Sequence, residues 1–406
     1  MDGIGIIGAG VAGLHLGLLL RRNDIPTTLY SDRTPEQLGS GRLPAAVAHH
    51  NTTVTRERAL GVEHWSAQDY GYAVHHHYVG GPLQARFTGG LGAPSRAVDY
   101  RLYLPRLLQD FTAAGGELRI RSIGPGELDE LAARHDLVVA ATGRGGLGGL
   151  FEPIAEKSPY TSPQRKLCAG LYTGVAPAEP KGVTLSIAPG DGELIEIPMY
   201  SFAGHVTALF FEAVPGGAFE ALAQADHDAD PRGFRTQVLH LLREHHPSVY
   251  ERVDPATFGL TDPLDLVQGA ITPRISADHI TLESGRPIVA VGDVHALVDP
   301  VVGQGANCAS YSAWQLGRTI LDDPHFDEHF CDKVAQRRRR RVQATTDWTN
   351  LMLAVPPPPH LLELITAMSR DPAVADVFTS NFNYPERQWD ILATPQRTRA
   401  FLARTS

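Results

Sequence analysis

Hydrophobic and polar positions near the start of the chain follow the pattern of a strand, a turn and a helix. Residues 4–7 form an apolar strand, a glycine-rich turn follows, and apolar positions then continue at helical spacing to Leu20. A second strand is expected over residues 27–30. This strand–helix–strand order is typical of a parallel sheet with helices packed on its faces.

The turn carries the glycine spacing of a dinucleotide site. Gly8, Gly10 and Gly13 form GxGxxG, in which the glycines permit a tight turn, a close approach of phosphate and close helix–strand packing. The free N–H groups at the helix N-terminus would face the phosphates. Asp32, followed by Arg33, stands nineteen residues after Gly13, where a carboxylate can hold a ribose hydroxyl. The motif predicts a dinucleotide but does not distinguish NAD from FAD.

A second GxGxxG spans residues 143–148 and raises the alternative of an NAD(P)H site. Pro153 and Pro159 leave little room after it for a helix that could bind phosphate. We therefore expect Ala141-Thr142-Gly143 to be the end of a strand that passes beside the first cofactor. The chain would then have no nicotinamide domain.

A third glycine-rich stretch favours FAD. An apolar strand over residues 288–291 leads to Gly292-Asp293, and a loop then reaches another helix start. A second helix N-terminus can face the electron-rich edge of a flavin, so two such termini suit the extended FAD better than NAD. The candidate cofactor residues in this stretch are Gly292, Asp293, Pro300, Gly303, Gly305, Ala306 and Asn307.

The remaining pattern predicts an α/β protein with three parts. Strands that alternate with Gly, Pro and Asp turns indicate an antiparallel sheet between about 151 and 267, and the pattern after about 325 is helical. Five consecutive arginines, residues 337–341, are expected to lie on a solvated face with acidic neighbours. The predicted parts are a discontinuous Rossmann-type FAD-binding domain with a mainly parallel sheet (1–44, 96–150 and 268–330), an antiparallel-sheet substrate domain (45–95 and 151–267) and a C-terminal helical segment (331–406).

Composition and charge argue against several other classes of function. The formal net charge is −9, which argues against a nucleic-acid partner. Three widely spaced cysteines favour a reducing cytoplasm, and no apolar run approaches the length needed to cross a membrane. The run His75-His76-His77 could suggest a metal, but a strand would put His76 on the opposite face and no carboxylate or cysteine set accompanies it. We expect no metal site.

The motifs together resemble the FAD-dependent aromatic hydroxylases typified by p-hydroxybenzoate hydroxylase. The resemblance rests on GxGxxG, Ala-Thr-Gly, and Gly-Asp followed by Pro300, Gly305 and Asn307. It implies a pyrophosphate contact for Arg42 and a ribityl or phosphate contact for Arg101, which begins an amphipathic helix. Single-component members have Asp-Gly where this chain has Ala-Thr-Gly, which fits a member that does not handle NAD(P)H.

Longer strings, including APSRAVDYRLY, DPVVGQGAN and SNFNYPERQWD, resemble the oxygenase component of two-component styrene and indole monooxygenases. This resemblance extends to Trp389. It implies that a transient partner reductase uses NADH to make reduced FAD (FADH2), and that the oxygenase adds O2 to it. The resulting C4a-hydroperoxide would epoxidise a small aromatic alkene. A homodimer is a further expectation.

The resemblance also implies a substrate pocket at the flavin edge. Five of its six positions agree with the styrene type, whereas Ala45 stands where that type has asparagine. Ala45 leaves the rate and the size of the substrate open. Indole, or a larger indole compound, is an alternative substrate, and a non-catalytic flavin-binding protein is a second alternative. The candidate catalytic residues are Ala45, Val47, His49, Tyr72, His75 and Ser95.

Overall fold

The computed structural model describes residues 3–405, which form two large sheets, a small two-stranded sheet and a set of C-terminal helices. The strands are β1 Ile4–Ile7, β2 Thr27–Ser31, β3 Ala48–His49, β4 Gly71–Val79, β5 Ala85–Ala97, β6 Glu117–Ile120, β7 Leu137–Ala140, β8 Lys166–Thr173, β9 Gly182–Ala188, β10 Gly192–Ser201, β11 Gly204–Ala213, β12 Gly259–Leu260, β13 Leu266–Ala270, β14 Arg274–Ile275, β15 His279–Thr281, β16 Pro287–Ala290 and β17 Ala296–Leu297.

The helices connect these strands and form the C-terminal part of the chain. They are α1 Val11–Arg21, α2 Pro35–Ser40, α3 Asn51–Leu60, α4 Ala67–Tyr70, α5 Tyr100–Ala113, α6 Leu128–Arg134, α7 Glu220–Gln224, α8 Pro231–His245, α9 Pro247–Tyr250, α10 Gly305–Asp322, α11 Glu328–Met352, α12 Pro359–Met368, α13 Pro372–Ser380, α14 Pro385–Leu392 and α15 Pro395–Thr405.

The first sheet has the predicted Rossmann-type arrangement. Its six strands lie in the order β15-β16-β7-β1-β2-β6, and all neighbours are parallel except β15 and β16. Helices α1, α5 and α10 pack on one face, and the other face is covered by α6 and the segment around Leu147. Burial on both faces explains why β1 and β7 are apolar at nearly every position.

The second sheet has nine strands and is mostly antiparallel. Eight lie in the order β12-β8-β11-β10-β9-β4-β5-β3, and β13 also pairs with β8. The exception to the predicted antiparallel pairing is β4, which runs parallel to β9. This pair joins the two segments, 45–95 and 151–267, that were predicted to share one sheet. Strands β5 and β13 cross the predicted domain limits at 95/96 and 267/268.

The C-terminal segment is helical as predicted, but its arginine run is not wholly solvated. Arg338 is buried, donates to Asp278 and to the carbonyl oxygen of Ala290, and thereby ties α11 to β16. Arg341 is also buried and pairs with Glu386 at 2.7 Å. An arginine run on a helix covers most of its circumference, so some of these side chains must face the packed side. Within residues 3–405, no helix is both long enough and apolar enough to cross a membrane.

Candidate flavin and substrate site

A central cavity of about 310 Å³ lies where the two sheets meet. On one side it is bounded by the carboxyl ends of β1, β7 and β16, represented by Gly10, Ala141 and Gly292. Parallel strands direct their carboxyl ends to one edge, which is where open α/β sheets bind ligands. The predicted dinucleotide motif and the third glycine-rich stretch therefore face the same space.

The three glycines of the first motif have different surroundings. Gly8 has φ +119°, and a Cβ there would overlap the Ala141 carbonyl. A Cβ at Gly13 would overlap the Gly8 carbonyl oxygen, so this glycine permits close helix–strand packing. Gly10 is the N-cap of α1, and a Cβ there would meet no atom of the described residues within 4 Å. Gly10 thus faces open space at a helix N-terminus, as a phosphate-binding glycine must.

An acidic and a basic residue face the cavity on the same side. Gly292 has φ +64°, which turns the chain after β16 and brings Asp293 to the cavity wall. Burial raises the pKa of Asp293, and Arg144 partly offsets this effect. Arg144 is exposed, lines the cavity, and has no hydrogen-bond or ion-pair partner among residues 3–405. Arg144 was not predicted as a site residue, because its stretch, residues 143–148, resembles a second glycine fingerprint and carries no sequence signal for a cavity-lining cation.

The loop before α10 forms another wall. Pro300, Gly303, Gly305 and Ala306 line the cavity, and Gly303 has φ +61°. Asn307 lies outside the lining and fixes this loop instead. Its amide nitrogen donates to the carbonyl oxygens of Ala48 and Gly303, while its side-chain oxygen accepts from the His50 N–H.

The second sheet supplies the opposite, mostly apolar wall. Two of the predicted pocket residues, Tyr72 and His75, lie there on β4, and two more, Ala45 and Val47, lie beside it in the segment that leads to β3. The other members of this wall were not predictable from the sequence, because they lie on three strands distant in the chain. These are Val183 and Leu185 on β9, Ile195 and Ile197 on β10, and Phe210 on β11.

Two neutral imidazoles lie on the cavity wall. Burial lowers the pKa of His75 well below its usual value and lowers that of His50 to about 3. Both ring nitrogens of His75, and Nε2 of His50, have no hydrogen-bond partner within the described part of the chain. These buried nitrogens can therefore bind a polar atom that enters the cavity.

The structure places His49 and Ser95 one layer behind the wall. His49 Nδ1 lies 2.7 Å from Glu57 and its Nε2 lies 2.9 Å from the Tyr100 hydroxyl, which faces the cavity side. Burial alone would raise the pKa of Glu57, but Arg96 and His49 lower it to about 2. Ser95 Oγ lies 3.1 Å from His50 Nδ1. His49 and Ser95 thus hold Tyr100 and His50 in place and do not line the cavity.

Four further predicted residues also lie outside the lining. Asp32 and Arg33 follow β2 with exposed side chains. Arg42 is exposed and pairs with Asp228, whereas Arg101 is buried between two carboxylates, Asp99 and Asp265. The segment 263–265 contacts both arginines, because Arg42 also donates to the Pro263 carbonyl oxygen. Their predicted contacts to a cofactor stay predictions.

These residues fit FAD. Gly10 leaves space for a pyrophosphate at a helix N-terminus, Asp293 supplies an acid at a strand end, and α10 begins at the cavity wall. The apolar wall continues beyond these groups and leaves room for a second, uncharged molecule. Among residues 3–405, no group of three or more His, Cys, Asp or Glu side chains could hold a metal ion.

Two solved structures share this fold. The p-nitrophenol 4-monooxygenase PnpA from Pseudomonas putida DLL-E4 superimposes with a TM-score of 0.65 at 12% identity, over 95% of this chain and 98% of that chain. A triple mutant of the flavin-dependent brominase Bmp2 gives a TM-score of 0.69 at 13% identity, over 99% of both chains. At these identities the likeness concerns the fold alone.

Sequence comparison is more specific. A family model described as "Styrene monooxygenase A putative substrate binding domain" matches residues 143–252. The styrene monooxygenase StyA of Pseudomonas fluorescens is 48% identical over 397 residues, which are 97% of this chain and 96% of that protein. Fold, site and relatives together define an FAD-dependent monooxygenase. Within that class, the chain belongs to the styrene monooxygenase StyA family.

Proposed function

We propose that this protein epoxidises styrene-like aryl alkenes with O2 and with reduced FAD that a separate NADH-dependent reductase supplies. Alkene, O2 and reduced FAD would give epoxide, water and oxidised FAD. The observation that carries the proposal is the central cavity. It joins a flavin cradle, formed by Gly10, Arg144, Asp293 and the N-terminus of α10 at Gly305, to an apolar wall. StyA is named a styrene monooxygenase, and the chain matches it over nearly its whole length.

Residues of the first sheet would hold the cofactor. The N–H groups of α1 and the open space at Gly10 suit the pyrophosphate, and Asp32 suits a ribose. Asp293 and the N-terminus of α10 face the part of the cavity where the ring would lie. The guanidinium of Arg144, which has no partner within the described residues, would add a charge-assisted contact to the phosphates.

The second sheet would hold the alkene and exclude water. Reduced flavin, when bound, supplies the electrons that activate O2 for transfer of one oxygen atom. An alkene is itself the nucleophile in this transfer, so no general acid or base is required of the chain. The apolar side chains of Val47, Ile197 and Phe210 would keep water from the reacting atoms. His75, neutral and unpaired within residues 3–405, could donate a hydrogen bond to the oxygen that leaves as water.

Ala45 supports an indole compound as a second candidate substrate. Its methyl group lies at the cavity, where the styrene type has an amide, so the space is larger and has one polar group fewer. A bicyclic substrate would fill that space better than styrene. Rates for styrene and indole at equal reduced-FAD supply distinguish the two candidates.

The direct test supplies chemically reduced FAD to the purified protein in the presence of styrene, O2 and catalase, and measures styrene oxide by chromatography. We expect epoxide only when the protein and reduced FAD are both present. NADH with FAD should give none until a reductase is added. Catalase removes free hydrogen peroxide, so product cannot come from peroxide in solution.

A cavity variant makes this test specific to the site. Val47→Phe should reduce epoxide formation by roughly tenfold or more, because the ring occupies the space of the alkene. Leu321→Phe, at a half-exposed position on α10 outside the cavity, should leave the rate unchanged. Tight binding of reduced FAD without oxygenation of any alkene or indole would contradict the proposal and favour a non-catalytic flavin-binding protein. Light scattering on the same preparation tests the expected homodimer.

A further inference from the structure

A second, outer cavity of about 320 Å³ lies between the nine-stranded sheet and the C-terminal helices. Its wall is mainly apolar, with side chains from the β4–β5 hairpin, from α11 and from α12. Its lining includes Phe87, Trp348, Met352 and Leu362. The outer cavity is as large as the central cavity and contains no residue of the flavin cradle.

The two cavities share a partition that is one side chain thick. Five residues line both cavities: Leu185, Ile195, Val301, Val302 and Phe382. The Phe382 ring contacts His75 of the central cavity at 4.6 Å and Trp348 of the outer cavity at 4.9 Å between ring centroids. A change in the rotamers of these side chains would connect the two spaces without movement of the backbone.

The outer cavity reaches the molecular surface at an apolar rim. Val355 is 59% exposed and Leu362 is 41% exposed, and both line the cavity together with the exposed Pro82. Large apolar side chains at this exposure are rare in this chain. An apolar rim around a cavity favours the capture of apolar molecules from water.

The polar groups of the outer cavity do not require an ionic ligand. Arg165 and Glu193 form a bidentate ion pair with distances of 2.7 and 2.8 Å, so their charges satisfy each other. Burial lowers the pKa of His77 to about 3, and this neutral ring stacks on Phe87 at 4.7 Å. The cavity therefore suits a small, neutral, aromatic or aliphatic molecule.

We propose that the outer cavity is the loading chamber through which the alkene reaches the central cavity, with the partition around Phe382 as its gate. The inference rests on the proposed function. Gly10, Arg144 and Asp293 lie on the side of the central cavity that a flavin would fill. A bound flavin would therefore block that approach. The outer cavity reaches the opposite wall of the central cavity through side chains alone.

The first experiment locates an apolar probe directly. Crystals of the flavin-free protein under xenon pressure should show xenon in the outer cavity and against the apolar wall of the central cavity, because apolar cavity walls bind xenon. Met352→Trp, which fills the outer cavity, should remove xenon there and leave it in the central cavity. Absence of xenon from the wild-type outer cavity would overturn the proposal.

The second experiment measures passage. For Met352→Trp, KM for styrene should rise by roughly tenfold or more while kcat and the Kd of reduced FAD stay near wild type. If Met352→Trp does not fold, Leu362→Trp at the rim replaces it in this measurement. Leu321→Trp is the control for the effect of an added surface tryptophan. Loss of xenon from the outer cavity with an unchanged KM would show that the alkene enters elsewhere.

A third readout separates this inference from the proposed function. If the protein oxidises no alkene, bromobenzene can still be mixed with the FAD-loaded protein, and its association rate followed by quenching of the Trp348 fluorescence and of the flavin fluorescence. The chain has four tryptophans, so Trp65, Trp314 and Trp389 are first replaced by phenylalanine in both proteins. We expect Trp348 quenching first, and a slower association in Met352→Phe, which narrows the outer cavity without adding a tryptophan. If Trp348 and the flavin are quenched simultaneously, at rates that are equal in wild type and variant, the outer cavity is not the route of entry. That conclusion would hold even if epoxidation itself is established.

Discussion

Among single residues, the least expected feature is a pair of buried acids at the loop before α10. Glu212 and Asp299 are both fully buried, and among residues 3–405 no donor reaches either Glu212 carboxylate oxygen or Oδ2 of Asp299. Burial raises the pKa of Glu212 well above its usual value and, with partial compensation from hydrogen bonds, raises that of Asp299 to about 6. Arg165 lies near them, but it is already paired with Glu193. The pair therefore retains a proton near neutral pH.

This pair also positions the cavity wall. Asp299 accepts a hydrogen bond from the Val301 N–H at 3.1 Å and so holds the turn that contains Pro300. The sequence analysis did not identify this function, because Glu212 belongs to β11 and only the tertiary structure brings it to Asp299.

We predict that Glu212→Gln changes how stability depends on pH. A carboxyl whose pKa is raised by folding adds fully to the free energy of unfolding below its unfolded pKa of about 4. That contribution is lost as the pH rises through the folded pKa, which is about 6 for Asp299. In Glu212→Gln one such group is gone and the amide can donate to Asp299. The free energy of unfolding, measured in urea, should therefore fall less with pH in the variant than in wild type. The difference, variant minus wild type, should become more positive between pH 4 and 7.

Glu179→Gln is the matched control, because Glu179 is exposed in the β8–β9 connection and does not contribute to the pKa shift of either acid. Its difference from wild type should be the same at every pH. A flat difference for Glu212→Gln as well would show that the two acids do not share a proton.

Among the elements, the turn between β1 and α1 contains glycines with two different functions. Gly13 is needed for packing, whereas Gly10 leaves space for a ligand. Gly10 is an N-cap with extended backbone and open space, and Asp or Asn is a preferred residue at such a position. Gly10→Asp and Gly10→Asn should keep or slightly raise the stability of the flavin-free protein. Both should weaken FAD binding, because their side chains occupy the space for phosphate. Gly10→Asp should do so more strongly, by roughly a further tenfold, since its charge repels phosphate.

Titration of each variant with FAD, followed by fluorescence, checks this prediction, and thermal unfolding gives the stability. Gly13→Ala is the contrasting variant, because its Cβ would overlap the Gly8 carbonyl. It should lower stability by about 1–3 kcal/mol. Equal FAD affinity in Gly10→Asp and wild type would mean that the phosphates bind elsewhere.

The elements that were predictable from the sequence are those with a local signal. The strand–turn–helix at Gly8–Gly13, the helix after Asp99 and the helical C-terminus were predicted because period and glycine spacing are local properties. The position of His49 was not predictable, because strand β3 has only two residues and carries little pattern. A shift of one residue places His50, and not His49, at the cavity. The burial of Arg338 was also missed, because its partner Asp278 is distant in sequence.

At the scale of the whole molecule, the central cavity exists only where separate parts of the chain meet. Its walls come from the first sheet, the second sheet and the α10 loop, and Phe382 comes from the C-terminal segment. Buried ion pairs link these parts: Arg101 joins Asp99 to Asp265, and Arg338 joins α11 to Asp278. A ligand in the cavity therefore contacts all the parts that must separate during unfolding, so its binding stabilises the entire chain.

Because the cavity joins all these parts, thermal unfolding can report which dinucleotide binds, without any turnover. Under anaerobic conditions, reduced FAD at about a hundred times its Kd should add about 2.7 kcal/mol to the free energy of unfolding, seen as a higher Tm. Gly10→Asp, which binds FAD more weakly, should show a clearly smaller rise at the same concentration. NADH should not change the Tm, because the 143–148 stretch forms a turn and the five-residue 3₁₀ helix Gly146–Leu150 and presents no α-helix N-terminus to phosphate. A rise with NADH that survives in Gly10→Asp would place a nicotinamide at that second glycine motif, and the separate reductase would then be unnecessary.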